Sequence, residues 1–216
     1  MESITSKAED VVKSFLAKDG SGHDWWHIHR VRNNALMLAK AYPQADLQVV
    51  ELAALLHDMG DYKLHNNDVE AGNQFLNETI NSLGVDNELG KRILEVIAQV
   101  SYKGAGVETD TTTIEAAIVQ DADRLDAVGA IGVARAFAYG GSKHRLMYDP
   151  DQKPESHDDF ESYRNAEGTT INHFYEKLLL LKDRMQTYEG KKMAVQRTEY
   201  MKQFLSQFYA EWNGER

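Results

Sequence analysis

A chain of 216 residues that is 42% hydrophobic, with three prolines and no cysteine, can bury a core of its own. Global disorder, disulfide scaffolds, thiolate zinc sites and cysteine nucleophiles are excluded. A net charge of −10 repels nucleic-acid duplexes and anionic membrane surfaces, but it is compatible with a small anionic ligand held through a metal ion.

Met1 to Leu16 is charged and has no continuous apolar stretch, so neither a signal peptide nor an anchor is expected there. Helical spacing of Ile4, Ala8, Val11, Val12, Phe15 and Leu16 predicts a first helix over 3–18, ended by Asp19-Gly20-Ser21-Gly22. A second helix is expected over about 24–42, where Pro43 stops it, and a third over about 45–58, closed by Gly60. Further helices are expected near 67–82, 87–101 and 113–138. From Gly140 to about Tyr163, paired glycines, Pro150, Pro154 and mixed charges predict a long surface loop, of the kind that forms lids or substrate-binding segments. Two long helices should follow. One is marked by Ile171, Phe174, Leu178, Leu181 and Met185, the other by Met193, Met201, Phe204, Phe208 and Trp212. Their apolar stripes suit packing within the chain or against a second copy, which leaves a homo-oligomer open. No apolar run nears the roughly 18 residues of a membrane span, and the expected setting is cytoplasmic. The reading is all-α, one helical domain over 1–216, with its core at about 20–140 and a C-terminal extension of loop and helices over 140–216.

The histidines carry the chemical signal. His57-Asp58 follows Leu52-Ala53-Ala54-Leu55-Leu56, a helix apolar on nearly every side, so the dipeptide is expected to be buried or in a cleft. Burying an imidazole beside a carboxylate is costly unless both are paired or share a cation. A capping aspartate beside a hydrogen-bonded core histidine is the plainer alternative. On the second helix, at about 100° per residue, His27 shares an arc with Val31, Asn34 and Leu38, whereas His29 lies on the side of Arg32 and Asn33. His27 therefore points inward, with Arg30 near it in phase.

Asp121-Ala-Asp123-Arg124-Leu-Asp126 follows the apolar run 116–119. Carboxylates crowded on a helix flanked by apolar sequence repel one another and invite a cation. Phase aligns Asp121 with Ile118 and Leu125, and Asp123 with Ala116, Val119 and Ala127, which leaves open which of the three aspartates binds. Two imidazoles and two carboxylates would form a mixed shell suited to Mn²⁺, Fe²⁺, Co²⁺, Ni²⁺, Zn²⁺ or, less well, Mg²⁺.

In this order, His27-x-x-Arg30-Val, Leu-Leu-His57-Asp58-Met-Gly-Asp61 and Gln-Asp-Ala-Asp123-Arg-Leu-Asp126 resemble the H…HD…D pattern of the HD superfamily of phosphohydrolases, a helical-bundle fold. Thirty residues separate the two histidines and 65 the two aspartates. The resemblance is strongest over about 20–140. It extends across nearly the whole chain to a bacterial subgroup of stand-alone proteins that share the opening motif, the Gly-Gly-Ser-Lys loop and the C-terminal helices. It implies one divalent ion, manganese first, held by His27, His57, Asp58 and Asp123. It also implies a catalytic carboxylate at Asp61, one turn from His57 if the helix continues. The implied reaction is cleavage of nucleoside triphosphates to monophosphate and pyrophosphate. Substrate phosphates need further positive charge. Lys63 is the first candidate, then Arg30 and Arg124 with Asp126 beside them, then Lys143 and Arg145 on the glycine loop. His65 and His144 stand close to these segments. A nucleotidase or alarmone hydrolase would use the same site; a di-iron oxygenase or a non-catalytic nucleotide sensor fits the residues less well.

Overall fold

Short oxygen-bearing side chains start the helices, each accepting from a backbone amide that has no partner within its own helix. Ser3, Asp24, Asp46, Asp68, Asp86, Thr169 and Thr187 all do this. The computed structural model describes residues 3–17, 24–100, 110–155 and 168–216. These form two compact units, the first made of the described residues through 100 with 110–123, the second of 124–155 with 168–216.

The first unit holds α1 (Ile4–Leu16), α2 (Trp25–Ala39), α3 (Leu47–Leu56), a 3-10 turn (Tyr62–Leu64), α4 (Val69–Ser82), α5 (Asn87–Ile97) and most of α6 (Ile114–Asp126). Helix α3 lies at its centre, packed by α1, α2 and α5. Its seven residues Val49, Val50 and Leu52 to Leu56 are buried, which explains why its sequence has no polar stripe. Several expected boundaries move, with α2 ending at Ala39 instead of about 42 and α5 at Ile97 instead of 101. Helix α3 ends at Leu56 with His57 as its cap, and residues 57–60 form a turn rather than two more helical residues. Helix α4 begins at Val69 because Asn66 and Asn67 adopt positive φ of 55° and 65°, a conformation that asparagine tolerates.

The second unit contains the end of α6, α7 (Gly129–Ser142), α8 (Thr170–Glu176), a 3-10 helix (Leu178–Arg184) and α9 (Tyr188–Trp212). The expected single helix over 113–138 is broken. Val128 is extended and Gly129 takes φ +78°, with the Arg197 side chain 3.1 Å from where a Cβ would sit. Conversely, the glycine pair expected to open a loop lies in α7. Gly140 is buried, and a Cβ there would collide with Thr170 Oγ1, so this glycine serves close helix packing. Residues 143–155 are irregular, and the remainder of the expected loop falls largely outside the described residues. The first of the two C-terminal helices also divides, at Lys177 (φ −139°, ψ −60°). Leu178 and Leu181, three apart, are both buried, a spacing that a 3-10 helix aligns on one side. Helix α9 continues for 25 residues and brings Phe204, Phe208 and Trp212 against Phe137, Phe174 and Tyr148. The described residues are all-α, and no helix among them is long and apolar enough to cross a membrane.

Candidate metal centre

Three helix positions of the first unit bring the motif residues together. His27 lies in the first turn of α2, where Asp24 Oδ1 accepts from the His27 backbone N–H at 3.0 Å. His57 and Asp58 leave the end of α3, and Asp123 projects from α6. His27 is completely buried and His57 is 8% exposed. His29 lies off this face, its ring 3.0 Å from Asn33 Nδ2 and beside Trp25 and Trp26.

The tautomer of His57 follows from its partner. Its Nδ1 lies 2.9 Å from the Ala54 carbonyl, which can only accept, so Nδ1 carries a hydrogen and, in the neutral ring that a metal ion binds, Nε2 presents its lone pair. That Nε2 is buried and makes no hydrogen bond to any described residue. Around it the acids converge. Asp58 Oδ1 is 3.4 Å from His57 Nε2, and Asp58 Oδ2 is 3.3 Å from His27 Nε2. Asp123 Oδ1 stands 3.5 Å from His27 Nε2 and 3.8 Å from His57 Nε2. One ligand atom each from His27, His57 and Asp123 lie within 4.8 Å of one another, a group that could hold a metal ion. Two atoms each about 2.1 Å from one ion lie roughly 3.0 Å apart at right angles and roughly 3.4 Å apart at tetrahedral angles, so the observed separations suit a shared ion. The donor set, imidazole nitrogen with carboxylate oxygen, suits a divalent transition metal. The carboxylates form the open side, with the Asp58 side chain 14% and the Asp123 side chain 30% exposed.

Two amides, the half-buried Asn34 and the buried Gln120, hold α6 in register, and the sequence reading passed over them as functional. Asn34, two turns beyond His27, donates to the Ala122 carbonyl at 3.3 Å. Gln120 donates to the Gln99 carbonyl, and the Gln99 side chain in turn accepts from the backbone and hydroxyl of Thr112. Asn34 on the apolar arc of His27 was a visible signal; the partner of Gln120 was not.

The other expected site residues have partners of their own. Asp61 begins the 3-10 turn instead of continuing α3. Its Oδ1 accepts from Lys63 N at 2.9 Å, and its own N–H donates to the Asp58 carbonyl at 3.0 Å. Lys63 is exposed, with Nζ 5.8 Å from the centre of the Tyr62 ring, and Arg30 is half-buried on α2. Asp121 is fully buried. Arg124 is 3% exposed and its guanidinium donates to the Arg184 carbonyl within the second unit. Asp126 is 1% exposed and pairs with Arg135 at 3.0 Å. Lys143 and Arg145 both lie over the Tyr139 ring, and the exposed His144 between them has φ 57°. His65 packs on Phe15 and Phe75.

The HD domain family matches residues 25–128. YpgQ of Bacillus subtilis is 36% identical over 197 residues, spanning 91% of this chain and 87% of YpgQ. The crystal structure of YpgQ in complex with ADP superposes with a TM-score of 0.71 at 33% identity, covering 94% of this chain and 97% of that one. A crystal structure from Lactobacillus plantarum reaches a TM-score of 0.87 at 37% identity over 99% of both chains. An HD-superfamily hydrolase of Bacillus thuringiensis gives 0.73 at 44% identity over 97% and 96%. Motif, geometry and relatives agree that the chain belongs to the HD superfamily of metal-dependent phosphohydrolases.

Proposed function

We propose that this protein hydrolyses nucleoside triphosphates to the monophosphate and pyrophosphate at the His27–His57–Asp58–Asp123 centre. The observation that carries the metal-dependent part is the convergence on one point of the buried, lone-pair-bearing His57 Nε2, the His27 Nε2 and the carboxylates of Asp58 and Asp123. A nucleotide as substrate draws its support from YpgQ, which was crystallised in complex with ADP.

His27, His57, Asp58 and Asp123 would hold one divalent ion, Mn²⁺ by preference, which when bound supplies Lewis acidity toward a phosphate oxygen and a more acidic water. Asp61 is the general base in this reading. One of its oxygens is fixed by the Lys63 amide, and the other takes a proton from the attacking water. The water oxygen bonds to the α-phosphorus, the bond from that phosphorus to the bridging oxygen breaks, and pyrophosphate leaves with the electron pair. Lys63 and Arg30 offset the phosphate charge. Arg124 and Asp126, buried against their own partners, contribute less in this reading than the sequence suggests.

The test is a panel of nucleoside mono-, di- and triphosphates with Mn²⁺, beside Asp58→Ala. Monophosphate and pyrophosphate released by the wild type and absent with the variant is the expected result. Inorganic phosphate alone, released from monophosphates, would identify a nucleotidase on the same site and overturn this version.

A further inference from the structure

The turn that carries His57 and Asp58 has left α3, and Met59 N–H ties it back to the Leu56 carbonyl at 3.0 Å. The segment that follows adds further support. Asp61 N–H anchors the Asp58 carbonyl. The next carbonyl, that of Met59, receives His65 Nε2 at 2.7 Å. A carbonyl only accepts, so His65 carries its hydrogen on Nε2. The ring is itself held. It stacks on Phe15 with centroids 5.8 Å apart and leans on Phe75 at 5.1 Å, while these two phenylalanines stack on each other at 4.9 Å. Below the ring, α4 approaches the turn so closely that a Cβ on Gly72 would lie 2.5 Å from the Gly60 carbonyl oxygen and 3.2 Å from His65 Cδ2. The glycine at 72 is what lets the turn, the ring and the helix meet.

We propose that His65 is a positioning residue for the metal centre: its Nε2–H, aimed by Phe15 and Phe75, fixes the Met59 carbonyl and with it the direction in which Asp58 presents its carboxylate. The inference rests on the metal reading of His27, His57, Asp58 and Asp123. Residues one layer behind the ligands orient them, and their loss lowers metal affinity about 10–100-fold in comparable sites. His65 acts through one backbone carbonyl, so the effect belongs at the lower end of that range.

The test compares His65→Phe, which keeps an aromatic ring between Phe15 and Phe75 but has no donor, with His65→Gln, whose amide N–H reaches as far as Nε2. Mn²⁺ affinity is read by calorimetry and ligand geometry by the visible absorption of bound Co²⁺. His65→Phe should bind Mn²⁺ about tenfold more weakly and shift the Co²⁺ bands, while His65→Gln stays within about twofold of the wild type. Wild-type affinity and bands in His65→Phe would overturn the proposal, and so would an equal loss in both variants, because a donor restored without the ring would then recover nothing. Should His65→Phe fail to fold, the tautomer decides in the wild-type protein. Long-range proton–nitrogen NMR should show His65 protonated at Nε2, and protonation at Nδ1 alone would overturn the assignment. A wild type that binds neither Mn²⁺ nor Co²⁺ would remove the metal reading and this inference together, whereas binding that His65→Phe leaves intact removes only the role of His65.

Discussion

Asp123 and Asp126 stand three residues apart on α6, and their surroundings neutralise them in opposite ways. In the first unit, Asp123 converges with Asp58 on two imidazole nitrogens, its side chain 30% exposed. In the second, Asp126 is buried against Arg135 at 3.0 Å. Arg197 feels it too: burial pulls that guanidinium below its ordinary pKa, and Asp126 pushes it back up. The imidazoles, His27 and His57 buried and His173 half-buried, divide the same way. His27 and His57 face carboxylates, while His173 in the second unit has Lys177 and Arg145 near it and is held neutral. A carboxylate beside imidazoles leaves negative charge and a nitrogen lone pair for an added cation, whereas a carboxylate beside guanidinium groups is complete without one. The two regions therefore put their charges to different uses.

Removing a ligand should give the largest effect and the sharpest contrast. Asp58→Ala is expected to abolish pyrophosphate release and to weaken Mn²⁺ binding by more than about 100-fold, beyond the range seen for groups behind the ligands. The melting temperature of the metal-free protein should change little, because the side chain is removed from the open side of the cluster rather than from the core. Calorimetry with Mn²⁺ and a thermal scan in chelator read the two halves separately. A metal-free protein that unfolds in this variant would mean that the first unit, too, uses its acids as structure.

Asp126→Ala should behave in reverse. Leaving Arg135 and Arg197 without their carboxylate in a buried setting costs about 3 kcal/mol, to be read by urea denaturation, while Mn²⁺ affinity persists. Full stability with lost turnover would instead return Asp126 to the substrate-binding role that its place in the acidic run suggests.

Gly72→Ala probes the frame of the first unit. The added Cβ would lie 2.5 Å from the Gly60 carbonyl oxygen, and overpacking of this kind costs about 2 kcal/mol. A drop in Mn²⁺ affinity should accompany the loss, since the displaced turn carries His57 and Asp58. Lost stability with wild-type metal affinity would show that the ligands are aimed by α3 alone.

Much of this was legible in the sequence wherever a pattern was local. The all-apolar run 52–56 announced a central helix, and phase along α2 put His27 on the buried side and His29 off it. What was not legible depended on a distant partner. Gly140 reads as a loop residue until Thr170 is seen against it, and the helix break at Gly129 matters only beside Arg197. In the acidic run, helical phase could not rank Asp121, Asp123 and Asp126, because the arginine that completes Asp126 comes from the next helix. Asp61 illustrates the same limit at short range. Its position four residues after His57 implied a helical turn, but the chain leaves the helix at Leu56, and Asp61 caps the 3-10 turn instead.

The smallest expected effect concerns His173. Burial first, then the positive charges of Lys177 and Arg145, lower its pKa from 6.5 to about 3. An imidazole kept neutral in the fold but free to protonate when unfolded destabilises the native state as the solution becomes acidic. Its contribution is complete well above pH 6.5 and is lost as pH falls through 6.5 toward 3. Between pH 7 and 6 this amounts to about 0.7 kcal/mol, and His173→Gln should remove it. Stability curves measured by urea at both pH values, with chelator present so that the metal centre does not contribute, should therefore converge toward acid for wild type and variant. Parallel curves would mean that His173 takes up its proton in the folded state, and the second unit would then tolerate a buried positive imidazole without the carboxylates that the first unit supplies.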